Sequence, residues 1–112
     1  MATLKLEIRD FPLFEIARYI RGYSYHTDSK VYDFEFEKDG HDYDVKAHVS
    51  IDYMWYYRPS TFDEPAETEF EVTDVVVETI KGVMYKGDDE HILGDKELRR
   101  IEKYLTENIQ FI

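Results

Sequence analysis

Val31-Tyr32-Asp33-Phe34-Glu35-Phe36-Glu37-Lys38-Asp39-Gly40-His41-Asp42-Tyr43-Asp44-Val45-Lys46-Ala47 is the stretch on which the reading of this chain turns. Asp-Gly between two alternating runs is the strongest short-range signal for a β-hairpin, since its tight turn needs positive φ at both central residues. With Asp39-Gly40 as a two-residue turn, the register follows. Phe36 faces Tyr43, Phe34 faces Val45 and Tyr32 faces Ala47, an apolar row fit for a core. On the other side Glu37 meets Asp42, Glu35 meets Asp44 and Asp33 meets Lys46. Like charges directly opposite each other destabilise a sheet, so five carboxylates beside one lysine call for a reason.

Working outward, the second arm continues as Val49, Ile51 and Tyr53 on the apolar side. Extended to Tyr57 it spans about 50 Å at the usual rise per residue. A compact domain of this size does not hold such a strand comfortably, so a bend or bulge is expected near Asp52–Trp55. Before the hairpin, Tyr23 to Ser29 reads as a polar loop. After it, Arg58 to Ala66 carries Pro59 and Pro65 and reads as a loop or crossover. Glu67, Glu69 and Glu71 then alternate with Thr68, Phe70 and Val72, making another strand with an acidic outer side. The alternation slips at Thr73-Asp74, where a second bulge is expected, and the strand runs on towards Met84.

At the N-terminus, Leu4, Leu6 and Ile8 alternate with Lys5, Glu7 and Arg9 as a half-buried strand. Asp10 and Pro12 open a short helix with Leu13, Ile16, Ala17 and Ile20 on one side and Gly22 as its stop. Lys86 to Glu90 is a turn. Asp95 caps a last helix whose apolar stripe is Leu98, Ile101, Leu105, Ile109 and Ile112, with Lys96, Arg99, Arg100 and Lys103 towards water. The expected fold is α+β: a four- or five-stranded antiparallel or mixed sheet with two helices packed on one face. The acidic side of the hairpin is then the open side.

The 112 residues carry a net charge of −11 and 43% hydrophobic residues, and a single domain over 1–112 is expected. Residues 31–74 hold 13 acids and 3 bases, a net −10, which leaves −1 for the rest. The charge therefore belongs to the central region. It argues against direct contact with nucleic acid or anionic membrane and favours a basic protein surface. There is no cysteine, which excludes disulfides, thiolate metal sites and cysteine catalysis and fits a cytoplasmic setting. No secretory pattern opens the chain, and no apolar run approaches the ~20 residues of a membrane helix.

Three candidate sites stand out. The first is the acidic side, Asp33, Glu35, Glu37, Asp42 and Asp44, joined by Glu67, Glu69 and Glu71 if their strand lies alongside. Carboxylates spaced along strands can present a surface like a phosphate backbone and occupy the groove of a nucleic-acid-binding protein; a charged side that only keeps the sheet solvated competes with this reading. The second is the stretch Tyr53-Met54-Trp55-Tyr56-Tyr57-Arg58. Tyr53, Trp55 and Tyr57 belong to the core rim, while Tyr56, Arg58 and the nearby Phe62 are of the types that anchor interfaces. The third is Asp88-Asp89-Glu90-His91, where a divalent ion competes with a solvated turn. Its spacing matches no calcium loop, and no metal or other cofactor is expected.

No nucleophile elbow, phosphate loop or zinc-protease motif is present, and the chain reads as non-enzymatic. Residues 43–110 resemble small proteins encoded in phages and prophages. The resemblance rests on the extended aromatic stretch, Arg58-Pro59, Glu64-Pro65-Ala66-Glu67, the acidic alternating strand and the short capped C-terminal helix. It brings no catalytic residue, and it implies a short intracellular protein acting on host machinery. The expectation is an acidic interaction protein that binds a basic, nucleic-acid-binding host protein and inhibits it by nucleic-acid mimicry. The alternatives are a small assembly protein that oligomerises through its aromatic patch, or a divalent-metal domain. The oligomeric state is open.

Overall fold

A computed structural model describes residues 4–14 and 20–112, with only the backbone at positions 67 and 68. In chain order the elements are strand β1 (Leu4–Leu6), a 3-10 turn at Ile8–Asp10, and strands β2 (Gly22–Lys38), β3 (His41–Arg58), β4 (Glu67–Lys86) and β5 (Asp89–Ile92). Helix α1 (Asp95–Asn108) and strand β6 (Ile109–Phe111) complete the chain. Strands β2-β3-β4-β5 form an antiparallel meander, and β1 and β6 pair in parallel as a separate small ladder.

The hairpin forms in the expected register, with Phe36 opposite Tyr43, Glu37 opposite Asp42, Glu35 opposite Asp44 and Asp33 opposite Lys46. Asp39 and Gly40 have φ of 54° and 79°, the two positive values that a type I′ turn requires. Lys38 Nζ donates to Oδ2 of the adjoining Asp39 at 2.9 Å. That bond raises the Lys38 pKa above its ordinary value.

The two-helix α+β sandwich does not form. The fold is mostly β, with α1 the one helix among the described residues. The helix expected over Leu13–Ile20 lies largely outside the described residues, which omit 15–19. The chain goes instead into long strands of 17, 18 and 20 residues, and the molecule measures 61 × 22 × 18 Å. The anticipated bend does not shorten β3. Two bulges on β4 absorb the strain of so long a pairing, since an extra residue increases local twist. One makes Thr73 the extra residue opposite Asp52/Tyr53, as the slipped alternation suggests. The other makes Ile80 the extra residue opposite Lys46/Ala47 and has no counterpart in the sequence pattern.

Tyr23–Ser29 is strand rather than loop. Each of its residues pairs with β3, from Tyr23 opposite Tyr56 to Ser29 opposite Ser50. Its polar inward residues mask the alternation, but each finds a partner. Asp28, only 6% exposed, accepts hydrogen bonds from the Leu13 N–H at 2.7 Å and the Ser29 N–H at 2.8 Å. The Ser24 hydroxyl donates to the Trp55 carbonyl at 3.4 Å, and the His26 ring lies 5.3 Å from that of Tyr53. A buried polar group held this way does not destabilise its strand.

The core lies on the inner side of the sheet, where Val45, Ala47, Val49, Ile51 and Tyr53 of β3 are buried. Leu6, Ile8, Phe11 and Phe14 cover one part of it, and Leu93, Ile101, Tyr104 and Leu105 another. Tyr104 stacks on Phe36 at 5.1 Å. Glu102 Oε1 accepts from both the Thr79 N–H and its hydroxyl at 2.9 Å, which ties α1 to the sheet beside the Ile80 bulge. Asp95 is not the cap. Gly94 precedes the helix, and Glu97 Oε1 accepts the Gly94 N–H at 3.3 Å, half of a capping box. The helical stripe stops at Asn108, because Ile109 and Phe111 leave it to pair with Leu4 and Leu6. No described helix is long and apolar enough to cross a membrane.

Among the described residues, the Tyr32 and Tyr53 hydroxyls are buried without a hydrogen-bond partner. Burial first, then nearby carboxylates (Asp10 followed by Asp28 at Tyr32, Asp28 at Tyr53), push both phenols up to about 12. An unfolded chain ionises these groups near 10.0, so above that pH it sheds protons that the folded chain retains. Stability is therefore intact below pH 10 and falls between about 10 and 12. A Tyr53→Phe variant is expected to be at least as stable as wild type at neutral pH, since an unsatisfied hydroxyl is removed. It should also keep its circular-dichroism signal to higher pH in an alkaline titration. Earlier alkaline unfolding of that variant would refute the assignment.

Candidate partner-binding face

The outer side of the sheet is a long ribbon three strands wide, and strand parity sets its composition. From the turn end, β2 presents Glu37, Glu35, Asp33, Val31, Ser29, Thr27, Tyr25 and Tyr23. Strand β3 presents Asp42, Asp44, Lys46, His48, Ser50, Asp52, Met54 and Tyr56. Beside them β4 places Tyr85, Val83, Lys81, Glu78, Val76, Asp74, Glu71 and Glu69. The ribbon has an acidic end and an aromatic end. From Asp44 to Tyr56 is 12 positions along β3, or about 40 Å.

At the acidic end, Asp33, Glu35, Glu37, Asp42 and Asp44 are all exposed. The surface there is not flat. An open depression of about 470 Å³ is lined by Glu35, Glu37, Asp42, Asp44, Phe36, Tyr43 and Tyr85. A second, of about 530 Å³, adjoins it between Asp33, Glu35, Asp44, Lys46, Lys81 and Ile92. Lys46 and Lys81 stand opposite each other and bound the carboxylates on the side away from the turn. The first depression suits a guanidinium or ammonium group entering from outside, because carboxylates surround it and a tyrosine walls one side.

The strand holding Glu67, Glu69 and Glu71 does lie alongside β3, but these residues do not join the acidic end. Their register partners are Arg58, Tyr56 and Met54, at the opposite end of the ribbon. Tyr85 and Val83 occupy the places beside Asp42 and Asp44. The antiparallel turn from β3 into β4 brings the start of β4 against the end of β3, which separates the two acidic groups.

At the aromatic end, Tyr56 is half-buried and its ring lies 4.6 Å from that of Tyr23. Tyr23 and Tyr25 are 64% and 78% exposed. Phe62 is wholly exposed on the loop between β3 and β4. Arg58 Nη1 pairs with Glu64 Oε2 at 3.2 Å, which fixes that loop against the strand. The sequence reading missed Tyr23 and Tyr25 because it placed them in a loop. Their two-residue spacing in Tyr23-Ser24-Tyr25 was the available signal.

Asp88-Asp89-Glu90-His91 divides between two elements. Gly87 and Asp88 make the turn, with φ 62° at Gly87, and Asp89 to His91 lie in β5. His91 Nε2 meets Glu97 Oε1 at 3.0 Å. That contact, with the Gly94 N–H, holds the Glu97 carboxyl below its usual range. Among the described residues no three His, Asp or Glu side chains converge on a metal-sized site.

Comparison with family models, characterised proteins and solved structures finds no match for this chain. The chemistry of the two ends of the ribbon therefore carries the functional argument.

Proposed function

We propose that this chain is a non-enzymatic interaction protein that binds a basic, nucleic-acid-binding protein through the acidic end of its sheet and inhibits it by nucleic-acid mimicry. The observation behind this reading is the double row of exposed carboxylates, Asp33, Glu35 and Glu37 on one strand and Asp42 and Asp44 on the next, with Glu35/Asp44 and Glu37/Asp42 directly opposed. Same-side residues of one strand repeat every ~6.7 Å, so two adjacent rows in register place two charges at each such step, an average of one per about 3.4 Å. One strand of DNA carries the same axial density, and a duplex about twice that.

A pull-down from cells of the source organism at about 50 mM and about 500 mM salt tests the reading. Exposed charges are screened over ~8 Å at physiological ionic strength and over less at higher salt. The expected result is capture of a basic nucleic-acid-binding protein at low salt, released at high salt and by added nucleic acid. Capture of the same partner at both salts, unaffected by nucleic acid, counts against mimicry.

A further inference from the structure

Among the described residues, strand β2 leaves one edge of the sheet unpaired along its whole length, since β3 is its only neighbour. Such an edge offers a row of free backbone donors and acceptors, and proteins usually blunt it with charge, proline or a bulge. The other long free edge, on β4, is blunted in this way: two bulges break it, and Glu69, Glu71, Asp74 and Glu78 are exposed along it. The β2 edge pairs with β3 from Gly22 to Lys38 without a register shift and contains no proline. Its acidic guard lies only towards the turn, at Asp33, Glu35 and Glu37; the one basic residue between Tyr23 and Val31, Lys30, has its Nζ 5.1 Å from the Tyr32 ring centroid. From Tyr23 to Val31 its one acid is Asp28, which is turned inward and bonded. Tyr23, Tyr25 and Val31 in this stretch are large apolar side chains left exposed.

We infer that the Tyr23–Val31 edge of β2 pairs antiparallel with the same edge of a second copy, joining two sheets into one about a two-fold axis at Thr27. That register sets Tyr23 opposite Val31, Tyr25 opposite Ser29 and Thr27 opposite Thr27 of the second copy. It sets Tyr23 beside Val31, an aromatic and β-branched cross-strand pair, at both ends of the joint, and Thr27 beside Thr27 at its centre. It also brings Arg21, just before the strand, beside Asp33 of the second copy, an attraction at each end of the joint. The isologous arrangement makes both copies use one patch. It also answers the charge problem of joining two chains of −11. Glu35 lies 8 positions from Thr27, so the two acidic ends stand about 50 Å apart, many times the ~8 Å screening length. Both face the same side of the joined sheet. The inference does not depend on what the acidic ends bind, and its test measures assembly alone.

Sedimentation equilibrium at tens of micromolar is expected to return twice the 13.5 kDa chain mass. Because the chain lacks cysteine, single cysteines report the register. Thr27→Cys, with Cβ atoms about 5 Å apart across the axis, should cross-link almost fully with a short bis-thiol reagent. Glu35→Cys, on the same strand, should not. Tyr25→Lys should keep the circular-dichroism spectrum and sediment as a monomer. A wild-type monomer at about 100 µM overturns the inference, as does equal cross-linking of the two cysteine variants. A monomer that captures extended peptides along β2 overturns it in favour of a foreign strand as the occupant.

Discussion

A chain carrying Glu35→Gln, Glu37→Gln and Asp44→Asn together is expected to melt higher than the wild type and to bind its basic partner about tenfold to a hundredfold more weakly. The two effects share one cause. Glu35 faces Asp44 and Glu37 faces Asp42 across the hairpin, and each opposed like-charge pair costs about 0.2–1 kcal/mol. Relieving both contributes about 1 kcal/mol, or about 4–8 °C in a domain near this size. The apolar side does not change, since Phe34, Phe36 and Val45 remain buried on the inner side and the amides keep the shape of the acids they replace. Partner affinity moves the other way, because each exposed charge is worth up to about 1 kcal/mol and three are lost. Thermal melting and a titration against the captured partner read the two changes. A misfolded variant cannot melt higher, so weaker binding with a higher melting temperature isolates the carboxylates as the cause. Unchanged affinity removes the acidic end from the binding site.

The second large effect is expected at Gly82. Glycine in a strand interior is ordinarily a weakness, and alanine is the usual improvement. Here the sign is reversed. A Cβ at Gly82 would lie 2.8 Å from Leu93 Cδ1, 3.1 Å from Val45 Cγ2 and 3.2 Å from Leu98 Cδ2. The Leu93 N–H also bonds the Gly82 carbonyl at 2.9 Å, so the segment leading into α1 is seated on the glycine itself. Gly82→Ala is expected to destabilise by about 1 kcal/mol and Gly82→Val by about 2–3 kcal/mol, the range for overpacking a filled core. Urea unfolding measures both. Trimming the opposing side chain with Leu93→Val should recover part of the Gly82→Ala loss, giving a coupling that independent sites lack. A stabilised Gly82→Ala would mean that the helix does not pack there.

The hairpin was legible because it is a local object. Two residues with positive φ, Asp39 and Gly40, set the turn, and a period of two then assigns Phe34, Phe36, Tyr43 and Val45 to one side and five carboxylates to the other. Helix α1 was legible on the same terms, because the spacing of Ile101 and Leu105 marks its buried stripe at one element's own period. Tyr23–Ser29 was misread for the opposite reason. Ser24, His26 and Asp28 look like loop residues until β3 and Leu13 supply their partners, and those partners are distant in sequence. Ile109 likewise continues a helical stripe on paper and pairs with Leu4 in space.

The chain's own chemistry therefore determined the hairpin, its register and the concentration of charge on one of its sides, since turn conformation and alternation act between near neighbours. Where those charges stand relative to the rest was decided by the pairing of whole strands. Only the antiparallel course of β4 sends Glu69 and Glu71 to the end opposite Asp33 and Glu35 and leaves the β2 edge open. Long-range pairing depends on how distant segments satisfy each other's backbone and cover each other's apolar sides, and no local pattern encodes that choice.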